Sequence, residues 1–238
     1  MSYDYMAGQF QEPPLSVFID KGGSLMGNFD KFINILLEYE EMVLSKIEKK
    51  QGIDFSGRYV DGAIRYKDAL IHYETIRKRQ FNKIMSEYYK VNSNQNKKRI
   101  IDYGSGKGYM LFLLAQTGKF DEISGIEILP ELCEICRENM KHVGYPEISI
   151  INDDARIYTE IDNYNVIFMF NPFPRAAMYD VVNRIDESLK RNPREMCIIY
   201  VNNIHDDLVV EKICGMEKKC EMNNLPRYGC TSAIYINK

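Results

Sequence analysis

The chain has 238 residues, 45% hydrophobic and 27% charged, an ordinary globular mixture that can bury a core without disulfides or metals. A net charge of −3 and a pI of about 5.8 argue against a nucleic-acid partner, because binding a polyphosphate requires an excess of lysine and arginine. The sequence contains no apolar run of about 18 residues, so we expect no membrane span.

The first residues and the cysteines indicate the compartment. The amino terminus lacks a basic segment followed by an apolar one, so we expect no secretory signal. Several of the six cysteines lie in apolar runs, as Cys197 does, which is typical of reduced and partly buried thiols. We therefore predict a cytoplasmic protein.

Residues 1–95 are predicted to form a helical amino-terminal extension that covers the substrate or cofactor. Apolar residues recur at spacings of three and four from about Phe29 to Lys50 and again from about Glu74 to Val91. Gly52 to Gly62 is predicted to be a loop. The second helix has a basic face that either contacts solvent or faces an acidic substrate.

From residue 96 onward, short apolar strands alternate with amphipathic helices, a pattern typical of a parallel α/β sheet. The predicted strands are Arg99–Tyr103, Glu122–Ile126, Ile148–Ile151, Asn165–Phe170 and Met196–Val201. The predicted helices are Met110–Thr117, Glu131–Val143, Ala176–Lys190 and Asp206–Cys214. Residues Glu217–Met222 and Ser232–Asn237 are predicted to form an antiparallel hairpin. We therefore predict, over residues 96–238, an α/β domain with a mostly parallel seven-stranded sheet that ends in an antiparallel hairpin.

Cys133 and Cys136 form a CxxC pair inside a predicted helix. A zinc site would require a second pair at similar spacing, and the sequence has none. A redox pair is expected at a helix start directly after a strand, which is not the position here. We interpret both cysteines as small residues on an apolar helix face and predict no metal site.

A glycine-rich segment, Asp102-Tyr-Gly-Ser-Gly-Lys-Gly108, follows the first predicted strand. Glycines allow the backbone to turn sharply and a ligand to approach, and the helix that follows offers free N–H groups. The spacing is GxGxG, with Tyr109 where GxGxxG has its third glycine, and an acid ends the strand. Both features argue against a dinucleotide, and a P-loop is excluded because GxxxxGK[ST] is absent.

Polar residues follow each of the next three strands. Glu127 ends the second strand, 19 residues after Gly108, which is the position of the acid that binds ribose hydroxyls in open α/β sheets. Asp153 and Asp154 follow the third strand, and Asp154 is the preferred acceptor for an exocyclic purine amine because the small Ala155 comes directly after it. The segment Asn171–Pro174 ends the fourth strand, at the carboxyl edge where ligands bind.

These elements, in this order and at these spacings, resemble the class I S-adenosylmethionine-dependent methyltransferases from about Lys98 to the carboxyl terminus. The resemblance implies a Rossmann-like fold, with S-adenosylmethionine as cofactor. It implies that the glycine loop holds the methionine part, Glu127 the ribose and Asp154 the adenine, with Asn171–Pro174 beside the methyl group. The predicted cofactor contacts in this domain are Asp102, Tyr103, Gly104, Ser105, Gly106, Gly108, Glu127, Ile128, Asp153, Asp154, Ala155 and Asn171.

A narrower similarity concerns Tyr73-Glu-Thr75. This segment before the glycine loop is similar to one in a bacterial group of uncharacterised methyltransferases and, distantly, in the histone lysine methyltransferases that lack a SET domain. In those enzymes it folds over the cofactor, which implies that Tyr73 and Thr75 help to close the pocket. The alternative is a simple N-terminal helix-cap region.

Asn171 and Phe173 are the predicted catalytic residues. Asn171 would orient a substrate amine, and Phe173 would cover a planar group or the methylsulfonium. The segment resembles the Asn-Pro-Pro-aromatic motif of amine methyltransferases, but its aromatic residue comes one position early and a proline follows it. Recognition of adenine or glutamine is therefore not carried over, and a rigid turn that only shapes the pocket is the alternative.

The sequence leaves three functions open. The first is methyl transfer to a nitrogen or oxygen of a small molecule or sugar, and the second is transfer to a protein amine such as lysine. The third is a non-catalytic cofactor-binding protein or partner subunit. His205, which follows the fifth predicted strand, is a candidate general base. The oligomeric state is left open.

Overall fold

The structure is a computed structural model that describes residues 39, 42–46, 48–56, 64–66, 69–71, 75–92, 98–170, 172–225 and 230–237. The chain divides into two compact units, Met1–Ser56 and Gly57–Lys238. The predicted domain boundary at residues 95 and 96 falls within the second unit, so a separate domain over 96–238 stays a prediction.

In the first unit, the described residues 42–46 and 48–51 are helical, and they extend one residue past the end of the helix predicted from about Phe29 to Lys50. The buried carboxylate of Glu48 accepts a hydrogen bond from the N–H of Phe55 at 2.7 Å. It also accepts bonds from the backbone N–H and the hydroxyl of Ser56. This one side chain therefore satisfies two backbone donors of the segment that follows the helix.

The second unit opens with a small antiparallel pair, β1 (Ile64–Tyr66) and β2 (Ala69–Ile71). Strands of three residues are too short to show an alternating pattern, so the sequence did not predict them. Helix α1 (Lys78–Val91) follows, and it begins four residues later than predicted. Its apolar stripe is buried as expected, at Phe81, Ile84, Met85 and Tyr88.

Seven strands then form one sheet. They are β3 (Arg99–Tyr103), β4 (Glu122–Glu127), β5 (Ser149–Asn152), β6 (Val166–Phe170), β7 (Cys197–Val201), β8 (Met216–Leu225) and β9 (Cys230–Asn237). Their spatial order is β5-β4-β3-β6-β7-β9-β8. The first five of these pair in parallel, whereas β9 is antiparallel to both β7 and β8. The predicted α/β fold, a mostly parallel seven-stranded sheet with an antiparallel carboxyl-terminal hairpin, is confirmed.

In the described part of this domain, four α-helices connect the strands of the sheet, and a short 3-10 helix (Glu160–Asn163) lies between β5 and β6. The four α-helices are α2 (Tyr109–Thr117), α3 (Pro130–His142), α4 (Arg175–Arg191) and α5 (Asp206–Lys212). Strand β7 is buried along its whole length, as expected for a parallel strand covered on both faces. Among the described residues, no helix combines the length and apolar character required to cross a bilayer.

The strand order determines where a ligand can bind. Strand β3 lies centrally, with β4 on one side and β6 on the other. From β3 the chain adds β4 and β5 on one side of the sheet, and it then crosses to add β6 and β7 on the other side. In open α/β sheets, ligands bind in the crevice at the carboxyl ends of the strands where this reversal occurs. The glycine-rich segment and the three polar segments predicted from the sequence all follow strands that end at this edge.

Candidate cofactor-binding and active site

The glycine loop is hydrogen-bonded to the neighbouring strand β4. The N–H groups of Gly104 and Ser105 both donate to the carbonyl of Ile126, at 2.9 and 3.1 Å. The loop then closes on itself through a bond from Gly108 N–H to the Ser105 carbonyl at 2.9 Å. These bonds place the loop across the ends of β3 and β4, directly before α2.

Two of the loop glycines are required by packing within the protein. Gly108 has φ +88°, and a Cβ there would lie 2.5 Å from Sγ of Cys136 on α3. Gly104 has φ +82°, and a Cβ there would lie 2.9 Å from Cβ of Pro172. Glycine therefore lets α3 and the segment after β6 approach the loop closely.

Gly125 is a supporting residue that the sequence analysis missed. It lies within β4, and a Cβ there would lie 2.6 Å from both Cβ and Oγ of Ser105. Its absent side chain lets the loop rest against the strand. An isolated glycine inside a predicted strand signals such an approach, so the signal was available.

Glu127 is a buried acid that two backbone N–H groups hold in place. Its side chain is buried, with 8% exposed, and its two carboxylate oxygens accept bonds from Gly106 N–H and Leu129 N–H, each at 3.0 Å. Burial raises the pKa of this carboxyl, and its backbone hydrogen bonds counteract the rise. An ionised carboxylate has about four acceptor positions, so Glu127 retains the capacity to accept from a diol beside the loop.

Asp102 lies at the other side of the loop, near the end of β3, with only 3% of its surface exposed. Burial raises the pKa of its carboxyl to about 8, and the negative charge of Glu127 contributes to the rise. A cation bound beside these two buried acids would favour the ionised form of both carboxyls, so the site suits a cationic ligand group.

The acids after β5 differ from each other. Asp153 is exposed, and its carboxylate accepts a bond from Asp154 N–H at 2.7 Å. The Asp154 carboxylate instead binds Arg156, whose Nε lies 2.8 Å from each of its oxygens, and this pairing holds the pKa of Asp154 below its usual range. Arg156 was not among the residues predicted from the sequence. An arginine two residues after an acid in a turn was the available signal, but it does not specify the rotamer.

Apolar surface flanks these acids. Ile128, directly after Glu127, and Ile157 remain substantially exposed, whereas Ala155 is buried. Asn152 fixes the local backbone, because its amide donates to the carbonyls of Glu127 and Ile128 at 2.9 and 3.1 Å. The ends of β4 and β5 therefore present acceptors beside exposed apolar side chains, which suits a planar, partly polar ring.

The segment after β6 reaches the glycine loop through Pro172, which lies against Gly104. The ring of Phe173 contacts the ring of the buried Tyr103 edge to face, with centroids 6.5 Å apart. Asn171 and Tyr73 lie outside the described residues, and Thr75 is partly buried shortly before α1. The predicted roles of these residues and of Phe173 stay predictions.

The CxxC pair lies on α3 beneath the glycine loop. Cys133 and Cys136 are both buried and free, and Cys136 fills the space beside Gly108. Burial raises the pKa of both thiols, that of Cys133 to about 11, so both are protonated at neutral pH. This arrangement agrees with the interpretation that the cysteines are packing residues.

His205 precedes α5, beyond the end of β7. Partial burial and the positive charge of Arg175 lower its pKa below the usual histidine value. Its imidazole is therefore largely neutral at pH 7 and able to accept a proton, so His205 stays a candidate general base.

A family model described as a methyltransferase domain matches residues 94–235, which is more than half of the chain. The chain belongs to this methyltransferase family. Membership confirms the class that the motifs resemble, the S-adenosylmethionine-dependent methyltransferases of class I, with S-adenosylmethionine as cofactor.

Two curated relatives are protein-L-isoaspartate O-methyltransferases. The protein from Methanococcoides burtonii is 28% identical over 116 residues, covering 48% of this chain and 53% of its own length. Protein-L-isoaspartate O-methyltransferase 2 of Archaeoglobus fulgidus is 30% identical over 117 residues, covering 48% of this chain and 50% of its own length. This chain therefore spans about half the length of the curated relatives it matches.

Among solved structures, a complex of a mutant of MtNAS with S-adenosylmethionine superposes with a TM-score of 0.51. It is 15% identical and covers 67% of this chain and 62% of that chain. At this identity the likeness concerns the fold, and it agrees with the Rossmann-like architecture described above.

Proposed function

We propose that this chain transfers the methyl group of S-adenosylmethionine to a nitrogen or oxygen nucleophile of a small molecule or sugar. The observation that supports the cofactor part of the proposal is the buried Glu127 carboxylate, which accepts a hydrogen bond from the N–H of Gly106 at the carboxyl edge of the sheet. A buried acceptor beside a glycine loop suits a ribose that is held next to a cationic group.

The cofactor supplies an electrophilic methyl group on a sulfonium, and the protein supplies binding and alignment. In the proposed complex, the loop from Gly104 to Gly108 contacts the methionine part, and Glu127 accepts from the ribose hydroxyls. Ile128, Asp153, Asp154 and Ala155 surround the adenine. Asn171 and Phe173, which follow β6, contact the acceptor beside the methyl group.

The curated relatives favour a second candidate acceptor, a carboxylate of a protein. Both of the relatives described above are named as O-methyltransferases of protein L-isoaspartate. A carboxylate is already ionised at neutral pH, so it needs alignment with the methyl group and no general base.

Substitution of Glu127 tests the cofactor site. We expect Glu127→Gln to weaken S-adenosylmethionine binding by about tenfold, because the amide brings a donor towards the N–H groups of Gly106 and Leu129 and has one acceptor oxygen instead of two. Titration calorimetry measures the effect.

The matched control is Glu131→Gln, the same substitution at an exposed position in the first turn of α3. Its affinity is expected to equal that of the wild type. Absence of binding to the wild-type protein, or tighter binding of NADH, would refute the proposed cofactor site.

The acceptor is identified by following a labelled methyl group. The full chain is incubated with methyl-labelled S-adenosylmethionine and a cell extract, either intact or digested with a protease and then filtered. Label in a new small-molecule product of both extracts, separated chromatographically from the unreacted cofactor, supports the first candidate. Label that precipitates with intact protein and is released as methanol at alkaline pH indicates a carboxyl ester.

Two further outcomes distinguish an amine acceptor from a protein that binds the cofactor without catalysis. Protein-bound label that resists alkali indicates an amine acceptor such as lysine. Cofactor binding without transfer to any fraction indicates a non-catalytic subunit and contradicts the proposal. A synthetic peptide with isoaspartate, compared with the same peptide containing aspartate, tests the carboxylate acceptor directly.

A further inference from the structure

A cavity of about 260 Å³ lies at the amino edge of the sheet, opposite the edge that carries the glycine loop. Its lining includes Asn92, where α1 ends, and Arg99 and Val166, where β3 and β6 begin. Because β3 rises by about 3.3 Å per residue from Arg99 to Tyr103, the cavity lies roughly 13 Å from the glycine loop. Its described lining contains none of the residues assigned to the cofactor or the acceptor.

Lys98 contributes an ammonium group to this lining. Its Nζ lies 5.2 Å from the centre of the Tyr88 ring and donates a long hydrogen bond, 3.4 Å, to the Asn92 carbonyl. No carboxylate in the described part of the chain pairs with it. An ammonium has three N–H donors, so Lys98 retains donors for a ligand.

The second cation of the lining is the partly buried guanidinium of Arg194. Its N–H groups donate to the carbonyls of Ile161, Tyr164 and Asn192 at 2.7–2.9 Å and to Oγ of Ser188 at 3.0 Å. These acceptors fix the planar group but carry no charge. Among the described residues no carboxylate lies within 4.0 Å of it, whereas buried charges are normally paired.

The other charged groups of the lining leave these two cations without a direct counter-charge. The Asp162 carboxylate binds Arg191, whose Nε and Nη2 each lie 2.8 Å from one of its oxygens, and it acts on the second cation only from a longer distance. Arg99 is paired with Glu122 through Nε at 2.7 Å. Glu195 is exposed. Two unpaired cations therefore face a single exposed acid, and the cavity has a net positive charge.

We propose that this cavity binds a small anion, the carboxylate or phosphate group of a metabolite, between the ammonium of Lys98 and the guanidinium of Arg194. Both groups present at least two acceptor oxygens, and hydrogen bonds between ionised partners are the strong ones. Pockets for drug-sized ligands begin at about 300 Å³, so the occupant is a smaller molecule. The site lies outside the proposed cofactor and acceptor site and does not depend on the proposed function.

The test follows backbone amide resonances of the full ¹⁵N-labelled chain. Inorganic phosphate and succinate are titrated in separately at constant ionic strength, with chloride as the exchanged anion. We expect saturable shifts of the amides around Lys98, Val166 and Glu195, with the amides of Gly104 and Gly106 unchanged. A response to one anion alone identifies the group that the cavity prefers and supports the proposal.

Lys98→Gln removes one cation and keeps a polar side chain. It is expected to weaken binding of the anion by about tenfold, because a hydrogen bond between charged partners is lost. The matched control is Lys119→Gln, the same change at an exposed lysine outside the described lining, which should bind as the wild type does. Arg194→Gln should weaken binding as well. If it fails to fold because the three carbonyls lose their donor, the two lysine variants still decide the question.

The outcomes separate this site from the proposed function. Absence of saturable shifts with both anions, or equal affinities of the wild type and Lys98→Gln, would overturn the anion site. Calorimetry with S-adenosylmethionine on the same samples reports the cofactor site independently, and Lys98→Gln should leave that affinity unchanged. Loss of cofactor affinity in Lys98→Gln would also contradict the proposal, because the two sites would then not be separate.

Discussion

Replacing Gly108 with alanine is expected to destabilise the second unit by about 3 kcal/mol, because two independent costs add. The first is the left-handed backbone, with φ +88°, which costs an alanine about 1 kcal/mol. The second is overlap, since the new Cβ would lie 2.5 Å from Sγ of Cys136 and 3.1 Å from Cε of Met140. Overpacking of this kind in a buried core costs about 2 kcal/mol.

The same substitution is expected to weaken cofactor binding by more than about tenfold. The overlap displaces the loop from α3, and the loop carries the Gly106 N–H that anchors Glu127. Urea denaturation measures the stability of the variant, and calorimetry with S-adenosylmethionine measures its affinity.

Helix α2 offers a matched control at its other end. Gly118 also has a left-handed backbone, with φ +60°, but nothing among the described residues lies within 4 Å of its Cβ position. Gly118→Ala should therefore cost only the backbone part, about 1 kcal/mol, and leave cofactor affinity unchanged. Equal costs at the two glycines would show that overlap with α3 is unimportant.

A double variant separates the two parts of the cost. In Cys136→Ala the sulfur is gone, and the nearest remaining atom of residue 136 would lie 3.7 Å from the new Cβ at position 108, an ordinary contact. Adding Cys136→Ala to Gly108→Ala should therefore recover most of the steric cost, which a double-mutant cycle reports as a favourable coupling.

The glycine loop also illustrates what the sequence could predict. Strand β3 and the following loop were predictable, because an apolar run ends in glycines and a helix begins directly after them. The partners of those glycines were not predictable. Cys136 and Pro172 are distant in the chain from Gly108 and Gly104, and only the packing of α3 and the segment after β6 reveals the close approaches.

The acids of the site show the same limit. Their positions at the ends of β3, β4 and β5 follow from the alternation of apolar strands with polar turns. Their ionisation does not, because it depends on burial and on side-chain partners. Asp154 binds Arg156, whereas Asp102 is buried beside the repulsive charge of Glu127, and both states arise from tertiary structure.

Asp102→Asn is expected to stabilise the protein without ligand, and to do so increasingly as pH rises. The raised pKa of Asp102 means that the unfolded chain loses this proton near pH 4, whereas the folded protein retains it to about pH 8. The unfolded state therefore binds fewer protons over this interval, and wild-type stability falls with pH until both states are ionised above pH 8. Asparagine is neutral at every pH, so the variant avoids this loss.

Each unit of pKa shift corresponds to about 1.4 kcal/mol, so at pH 7 the variant should be more stable by about 2–4 kcal/mol once the cost of burying the amide is included. At pH 4 the two proteins should be nearly equal. Urea denaturation at pH 4, 7 and 9 measures the difference, with Asp153→Asn as the control because Asp153 is exposed.

A variant that is less stable than the wild type at every pH would contradict the unfavourable charge of Asp102. The expected result has a functional meaning when it is combined with weaker cofactor binding by the same variant. The acid would then reduce the stability of the free protein and contribute to affinity only when a cation is bound beside the loop. A residue retained for packing would show the opposite pattern, with a loss of stability that does not depend on pH.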